Sequence, residues 1–179
     1  MITKKIIFFD ATGTLWYPKT TRNNNDPGWV YRDAKTKAAV HEHLIMLPTA
    51  KTTLKRINRM GIRCVIVSAV PYPLYKSRAQ LKKTIKHFGV GGLIREYHTV
   101  NMVDGSSKVK LIERLLKKLK IKKNEALMVG DGYWPDYKFV RKRGIQALLM
   151  DSKYQNSRAW QIRKAKHRIY KLDEIIKFL

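Results

Sequence analysis

The sequence IIFFDATGTLW, residues 6–16, passes from four apolar residues into an aspartate and a Thr-Gly-Thr turn. An uninterrupted apolar run rich in Ile and Phe is typical of a strand that is buried on both faces of a sheet. The strand is expected to end at Asp10, because a charged residue followed by a glycine turn begins a loop. We therefore predict a buried strand over residues 6–9 that presents Asp10 at its carboxyl end.

Further apolar runs of the same form alternate with helical patterns along the chain. Strands are predicted over residues 64–67, 97–100, 126–129, 145–150 and 167–170, and helices over 48–60, 74–88, 108–119, 136–143, 157–166 and 172–179. Strands that alternate with helices indicate a parallel sheet with helices on both faces. The predicted fold class is α/β, a Rossmann-like doubly wound parallel sheet. Residues 17–47 show no clean periodicity and are predicted to form a flap inserted into a single domain of residues 1–179.

Polar side chains end three of the predicted strands. Asp10, Ser68 and Asp131 each follow a different apolar run. In open parallel sheets, ligands bind outside the carboxyl ends of the strands. These three side chains are therefore expected to converge on one site.

The charge of the chain is strongly positive. The 179 residues include 38 Lys and Arg against 13 Asp and Glu, which gives a formal net charge of +25. Such a surplus attracts anionic substrates and polyanions. The basic residues are spread along the chain, however, so the sequence predicts a diffuse positive field without a defined footprint.

Cysteine content and hydropathy argue against disulfide-linked, zinc-binding and membrane-spanning proteins. The single cysteine, Cys64, excludes an intramolecular disulfide and a multi-cysteine zinc site, and its apolar neighbours predict a buried thiol. Neither a signal peptide nor a stretch long enough to span a membrane is evident. A cytoplasmic protein without a membrane partner is the expectation.

Four segments carry the chemistry, and they occur in a fixed order. They are FFDATGTLW at residues 8–16, VIVS at 65–68, SSKVKLIERLL at 106–116 and GDGYWPD at 130–136. In this order they resemble the four motifs of the haloacid dehalogenase superfamily, whose first motif reads D-x-D-G-T-L. Over residues 4–150 the chain looks most like the capless magnesium-dependent phosphatase group, as judged by Trp16, by Leu47-Pro48 and by the spacing from Lys108 to Asp131.

The resemblance implies a role for each motif residue. Asp10 would be the nucleophile that forms an aspartyl-phosphate, Ser68 would hydrogen-bond the phosphoryl group and Lys108 would neutralise it. Magnesium would be held by Asp10, by the Thr12 carbonyl and by Asp131, with Asp136 holding Lys108 or a metal-bound water. Carboxylate and carbonyl oxygens are the hard ligands that magnesium prefers, and phosphoryl transfer needs a nucleophile, a divalent cation and positive charge.

Several of these assignments have structural alternatives. Aspartate commonly ends strands and caps the helices that follow them, which is the structural alternative for Asp10 and Asp131. Ser68 fits the N-cap position of a helix equally well. Lys110 competes with Lys108, because lysine is abundant in this chain. The aromatic residues near the site loop, which include Trp16, Tyr17, Trp29 and Tyr31, are expected to pack against the domain. His41 and His43 are expected to be exposed polar residues.

Position 12 departs from the family motif. The resembling phosphatases have a second aspartate there, which protonates the leaving group and then activates water, and this chain has Thr12. A threonine hydroxyl has no accessible pKa for either task. Slow turnover is therefore expected.

The leading function is a magnesium-dependent phosphatase, a phosphoric monoester hydrolase or phosphotransferase that acts on a phosphorylated small molecule or a phosphoprotein. Two alternatives stay open. The net charge allows a phosphatase that processes nucleic-acid ends, and Thr12 allows a binding protein that keeps the fold and has little turnover.

Overall fold

The computed structural model describes residues 3–20, 28–69, 73–101, 106–151 and 159–179. Its main sheet has six parallel strands: β1 (Ile6–Phe9), β4 (Arg63–Ala69), β5 (Glu96–Val100), β6 (Ala126–Gly130), β7 (Gln146–Met150) and β8 (Arg168–Ile169). The strand order is β5-β4-β1-β6-β7-β8. A separate antiparallel pair joins β2 (Trp16–Pro18) to β3 (Leu44–Met46).

Helices cover the two faces of the main sheet. They are α1 (Ala50–Arg59), α2 (Leu74–His87), α3 (Ser107–Leu119), α4 (Phe139–Lys142) and α5 (Ala159–Lys164). A π-helix, Tyr133–Lys138, leads directly into α4, and 3-10 turns lie at Trp29–Tyr31, Val40–His43 and Leu172–Phe178. In the described parts of the chain, no helix is both long enough and apolar enough to cross a membrane.

Alternation along the central strands divides the core into two layers. Ile7 and Phe9 of β1 pack with α1 and α2, whereas Ile6 and Phe8 pack with α3 and α4. All four side chains are fully buried. Successive residues of a strand point to opposite faces, so a continuous apolar run is the pattern that a doubly covered strand requires. The doubly wound parallel α/β fold predicted from the sequence is confirmed.

The path of the chain through the sheet determines where a ligand can bind. β1 lies between β4 and β6, and Phe9 pairs with Ile66 on one side and with Val129 on the other. The chain adds β4 and β5 on one side of β1 before it crosses to β6 on the other. The carboxyl end of β1 is therefore the topological switch point, where α/β sheets open a crevice for ligands.

Two predicted helices differ from the observed ones. The helix predicted over residues 136–143 begins instead at Tyr133, as π-helical turns that become α-helical only at Phe139. Pro135 lies in the first turn of this helix, where a proline is tolerated because the amide groups there have no partner within the helix. The helix predicted over 172–179 is a 3-10 helix, Leu172–Phe178. Residues 157 and 158 of the predicted fifth helix lie outside the described residues.

The aromatic residues near the site loop pack into the protein, as predicted for them. Trp16, Trp29 and Tyr31 are all buried, and the Trp16 ring lies 5.6 Å from the ring of Phe88. The expectation that His41 and His43 are exposed is wrong, because both are half-buried, and the ring of His41 contacts that of His87 at 5.4 Å. The α2 helix ends at His87 and so supplies the partner that the local sequence of His41 does not reveal.

We predict that Cys64 is inert toward thiol reagents in the folded protein. Burial raises its pKa to about 12, although the Asn58 side chain donates a hydrogen bond to the sulfur at 3.5 Å. Hardly any thiolate, the reactive form, is then present at pH 8. Ellman's reagent should label the native chain only at the rate of unfolding and label the urea-unfolded chain at once. Labelling of the native chain within the mixing time would contradict this.

Candidate active site

The turn after β1 folds back tightly on itself. The Asp10 amide donates to the Val129 carbonyl oxygen at 2.9 Å, and the Leu15 amide donates to the Ala11 carbonyl oxygen at 2.8 Å. Gly13 has a φ of +93°, a conformation that other residues rarely adopt, and its amide donates to the Trp16 carbonyl oxygen at 2.7 Å. The turn therefore fixes the carboxylate of Asp10 at the switch point of the sheet.

Glycines allow two more carboxylates to approach the end of β1. A Cβ atom at Gly13 would overlap the carboxylate of Asp131, and a Cβ atom at Gly130 would overlap the side chain of Asp136. The Gly132 amide also donates to Asp136 Oδ2 at 2.9 Å. The glycines of the first and fourth motifs thus provide the space that these carboxylates occupy.

Lys108 joins the carboxylates from the first turn of α3. Its Nζ donates to Asp10 Oδ1 and, at 2.7 Å, to Asp136 Oδ1. Both ion pairs are almost fully buried, because the Lys108 side chain is only 5% exposed. Lys110, the competing lysine, is exposed to solvent. The structure therefore brings Lys108 to Asp10 and Asp136 and leaves Lys110 on the surface.

Burial and charge act in opposite directions on Lys108. Burial alone would lower its pKa, but the neighbouring charges of Asp10 and Asp136 raise that pKa above its ordinary value. The pKa of Asp136 is raised to about 6, because burial and the charge of Asp10 outweigh the attraction of Lys108. Lys108 is thus a permanent cation, and ionisation of Asp136 is less favourable than that of an ordinary carboxyl group.

Three carboxylates converge here around a single lysine. Oxygen atoms of Asp10, Asp131 and Asp136 lie within 4.8 Å of one another, and all three side chains are buried. With the carboxylates ionised, the cluster and Lys108 together carry two net negative charges. Buried charge of that size requires compensation. A divalent cation with oxygen ligands meets this requirement in both charge and chemistry.

Thr12 contacts a residue that the motif analysis did not assign to the site. Its hydroxyl oxygen lies 2.6 Å from the phenolic oxygen of Tyr31, which is buried in the 3-10 turn after residue 28. Only the nearness of aromatic residues to the site loop hinted at Tyr31. The residues between β2 and that turn have no periodicity that fixes where the turn packs.

Ser68 lies within β4, where it pairs with Thr99 of β5. It is not the N-cap of α2, because Pro73 occupies that position. Its buried side chain lines a small cleft together with Ala11 and Tyr31. Ser68 therefore borders the same turn that carries Asp10 and Thr12, whereas its predicted contact with a phosphoryl group stays a prediction.

Comparison with known proteins identifies a family. Haloacid dehalogenase-like hydrolases match the chain over residues 19–144. The first motif lies before this stretch, so its assignment depends on the geometry described above. No curated protein sequence matches the chain.

Solved structures share the fold over nearly the whole chain. A predicted phosphatase from Clostridium acetobutylicum is similar with a TM-score of 0.70 and 16% identity, over 98% of this chain and 98% of that one. A predicted phosphoglycolate phosphatase from Haemophilus somnus has a TM-score of 0.69 and 17% identity, over 98% and 97%. A dehalogenase solved with an intermediate complex has a TM-score of 0.70 and 14% identity, over 100% and 98%. At these identities the likeness shows the fold alone.

We predict that Lys108→Met lowers the free energy of unfolding by about 3–5 kcal/mol, because it leaves Asp10 and Asp136 buried without a counter-charge. Lys110→Met is the matched control, and it should change that free energy by less than about 0.5 kcal/mol, because Lys110 is exposed. Urea unfolding followed by circular dichroism measures both. Equal effects of the two substitutions would show that the buried ion pairs do not stabilise the fold.

Proposed function

The chain belongs to the haloacid dehalogenase-like hydrolases, and from that membership we propose that it is a magnesium-dependent phosphatase with Asp10 as its nucleophile. The observation that carries the proposal is the buried cluster of three carboxylates around Lys108. The substrate we propose is a phosphomonoester, because a dianionic phosphoryl group can share its oxygens with a divalent cation and with a lysine.

The residues present fit a magnesium ion. Asp10 and Asp131 would hold it together with the Thr12 carbonyl, as the family resemblance implies. Both carboxylate oxygens of Asp136 already accept hydrogen bonds, one from Lys108 and one from the Gly132 amide. Asp136 is therefore better placed to orient Lys108 than to bind the metal directly. When bound, magnesium would neutralise the carboxylates and polarise the phosphoryl oxygens.

Asp10 would attack phosphorus through Oδ2, because Lys108 already holds its other oxygen, Oδ1. The bond between phosphorus and the ester oxygen breaks, and an aspartyl-phosphate forms on Asp10. Lys108 would then donate to the transferred phosphoryl group, with Ser68 as a further donor. Attack by water on phosphorus releases inorganic phosphate and restores the Asp10 carboxylate.

Thr12 and Tyr31 would carry the proton that the missing aspartate carries in the family motif. The departing oxygen takes the Thr12 proton, Thr12 takes the phenolic proton, and the attacking water later returns a proton by the same path. The contact of 2.6 Å between the two hydroxyl oxygens supports this path. A phenol, with an ordinary pKa near 10, is a much weaker acid than a carboxyl group. Turnover would therefore be slow, and the phosphoenzyme would accumulate.

Tyr31 would reach this position as part of a flap, which we propose takes the place of a cap domain. The strands β2 and β3 pair near the two ends of residues 17–47, and the 3-10 turn that holds Tyr31 lies between them in the chain. The division into one domain, residues 1–179, with this insertion stays a prediction.

The proposal is tested by phosphate release from sugar phosphates, nucleotides, phosphopeptides and p-nitrophenyl phosphate, with magnesium and with a chelator in its place. We expect magnesium-dependent release by the wild type and acid-stable phosphoprotein after quenching. Asp10→Asn should abolish both, because an amide is neither a nucleophile nor an anionic ligand. The control is Asp173→Asn, at an exposed carboxylate, which should change neither.

Activity of folded Asp10→Asn above a tenth of the wild-type value would refute the assignment of the nucleophile. A wild type that binds a phosphate analogue with magnesium but releases no phosphate from any ester would be a binding protein.

We predict that Tyr31→Phe slows phosphoenzyme formation from alkyl phosphates by about 10²-fold and that from p-nitrophenyl phosphate by less than about 3-fold. A poor alkoxide leaving group needs a proton in the transition state, whereas p-nitrophenolate departs without one. Rapid-quench rates of phosphoenzyme formation from both esters measure the difference, because hydrolysis of the phosphoenzyme is common to the two reactions. Tyr17→Phe, at a half-buried phenol in β2, is the control and should slow neither reaction. Equal losses on both esters would show that Tyr31 only supports the fold of the flap.

A further inference from the structure

Two exposed tryptophans contact the ring of Tyr133, which is two residues after Asp131 in the chain, and they have no part in the mechanism. Trp134 occupies the turn between Asp131 and Asp136 and is 42% exposed, and Trp160 of α5 is 39% exposed. Large exposed aromatic rings that lie close together on one surface are typical of a binding site. We define the tryptophan surface as Trp134 and Trp160 together with Tyr133 and Lys164.

Both indoles of the tryptophan surface pack against a buried side chain. Tyr133 is buried, and its ring lies 5.3 Å from the ring of Trp134 and 6.4 Å from that of Trp160. Trp134 also packs against Phe139, at 5.8 Å. The two indoles are therefore held in place by buried neighbours. They offer flat apolar area at little further cost in side-chain entropy.

Basic side chains lie against two aromatic rings of this region. The Nζ of Lys164 lies 4.9 Å from the centre of the Trp160 ring. The guanidinium of Arg141 lies 5.6 Å from the ring of Tyr137, the residue that follows Asp136. Burial and the charges of Arg141 and Lys166 lower the pKa of His167, so these two cations lie near its imidazole. A ligand of this surface should be both aromatic and anionic.

We propose that the tryptophan surface binds the terminal bases of a single-stranded nucleic acid, and that the terminal phosphate of that strand enters the Asp10 site. This assignment of the substrate class rests on the proposed phosphatase function. Exposed indoles stack on bases of any sequence, and lysines beside them contact the backbone phosphates, which is the usual pattern of single-strand binding. The net charge of +25 supplies the long-range attraction for a polyanion.

A single strand fits the surface better than a duplex or a peptide. Bases in a duplex are stacked on each other and do not offer their faces to an indole. An acidic phosphopeptide satisfies the charge but leaves the two indoles without an aromatic partner. Trp134 adjoins the carboxylates in sequence, so a base stacked on it would belong to a nucleotide at the end of the strand.

Binding is measured first, with the full chain in a chelating buffer, so that no catalysis is needed. The probe is a 5′-phosphorylated oligothymidylate labelled with a fluorophore, and anisotropy reports its binding. We expect Trp134→Ala to raise the dissociation constant about 5- to 100-fold, the range for loss of one stacked base. Lys164→Met should reduce the salt dependence of binding by about 0.7 in the log–log slope for the phosphate contact it loses.

The matched control is Tyr75→Ala, which removes another exposed aromatic ring, 71% exposed, that also lies beside lysine. We expect Tyr75→Ala to leave the dissociation constant unchanged. A larger loss with Tyr75→Ala than with Trp134→Ala would place the binding surface on α2 and overturn the proposal. Equal affinity for a duplex or for an acidic phosphopeptide of the same charge would also overturn it.

Turnover then separates this proposal from the phosphatase function itself. With magnesium, the kcat/KM of the wild type for the phosphorylated oligothymidylate should exceed that for thymidine monophosphate about 10-fold or more. If kcat/KM for the oligothymidylate is no higher than for thymidine monophosphate while p-nitrophenyl phosphate is still hydrolysed, the proposed substrate class is wrong and the phosphatase function stands. If the wild type releases no phosphate from any ester, the phosphatase function is refuted instead.

Discussion

The ion pairs that Lys108 makes with Asp10 and Asp136 are the interaction on which the rest of the site depends. They join the end of β1, the first turn of α3 and the π-helix after β6. Lys108 is buried with both partners, so removing the lysine leaves two carboxylates inside the protein without a counter-charge. The same ion pairs fix one oxygen of Asp10 and orient the lysine that would meet a phosphoryl group. Stability and chemistry are therefore coupled at this point.

Much of the fold follows from the sequence because the central strands are buried on both faces. An apolar run such as residues 6–9 has few alternatives to a central strand, and the aspartate after it marks the end of that strand. The neighbouring strands β1 and β6 then bring Asp10 and Asp131 together. The π-helix could not be predicted, because its geometry depends on the Asp136 side chain reaching back to the Gly132 amide.

Tertiary contacts decide the parts of the site that the local pattern leaves open. Lys108 and Lys110 are two residues apart on α3, and only the packing of that helix on the sheet buries one of them and exposes the other. Tyr31 reaches Thr12 across a separation of nineteen residues, from a stretch with no apolar periodicity. Residue types and spacing therefore identify the carboxylates, whereas the partner of Thr12 emerges only from the tertiary structure.

Acidic and basic groups act over different distances in this protein. The three carboxylates of the site, Asp10, Asp131 and Asp136, are buried together, where a cation and Lys108 can balance their charge within a few ångströms. The basic residues are spread over the surface, and their field reaches about 10 Å into solvent at 0.1 M salt. A phosphorylated ligand is thus attracted as an anion before it meets the acidic site. For a mononucleotide this attraction is modest, but it grows with each phosphate of a strand. The net charge therefore favours a long anion, and the exposed indoles near Asp131 provide the short-range contacts that would hold its end.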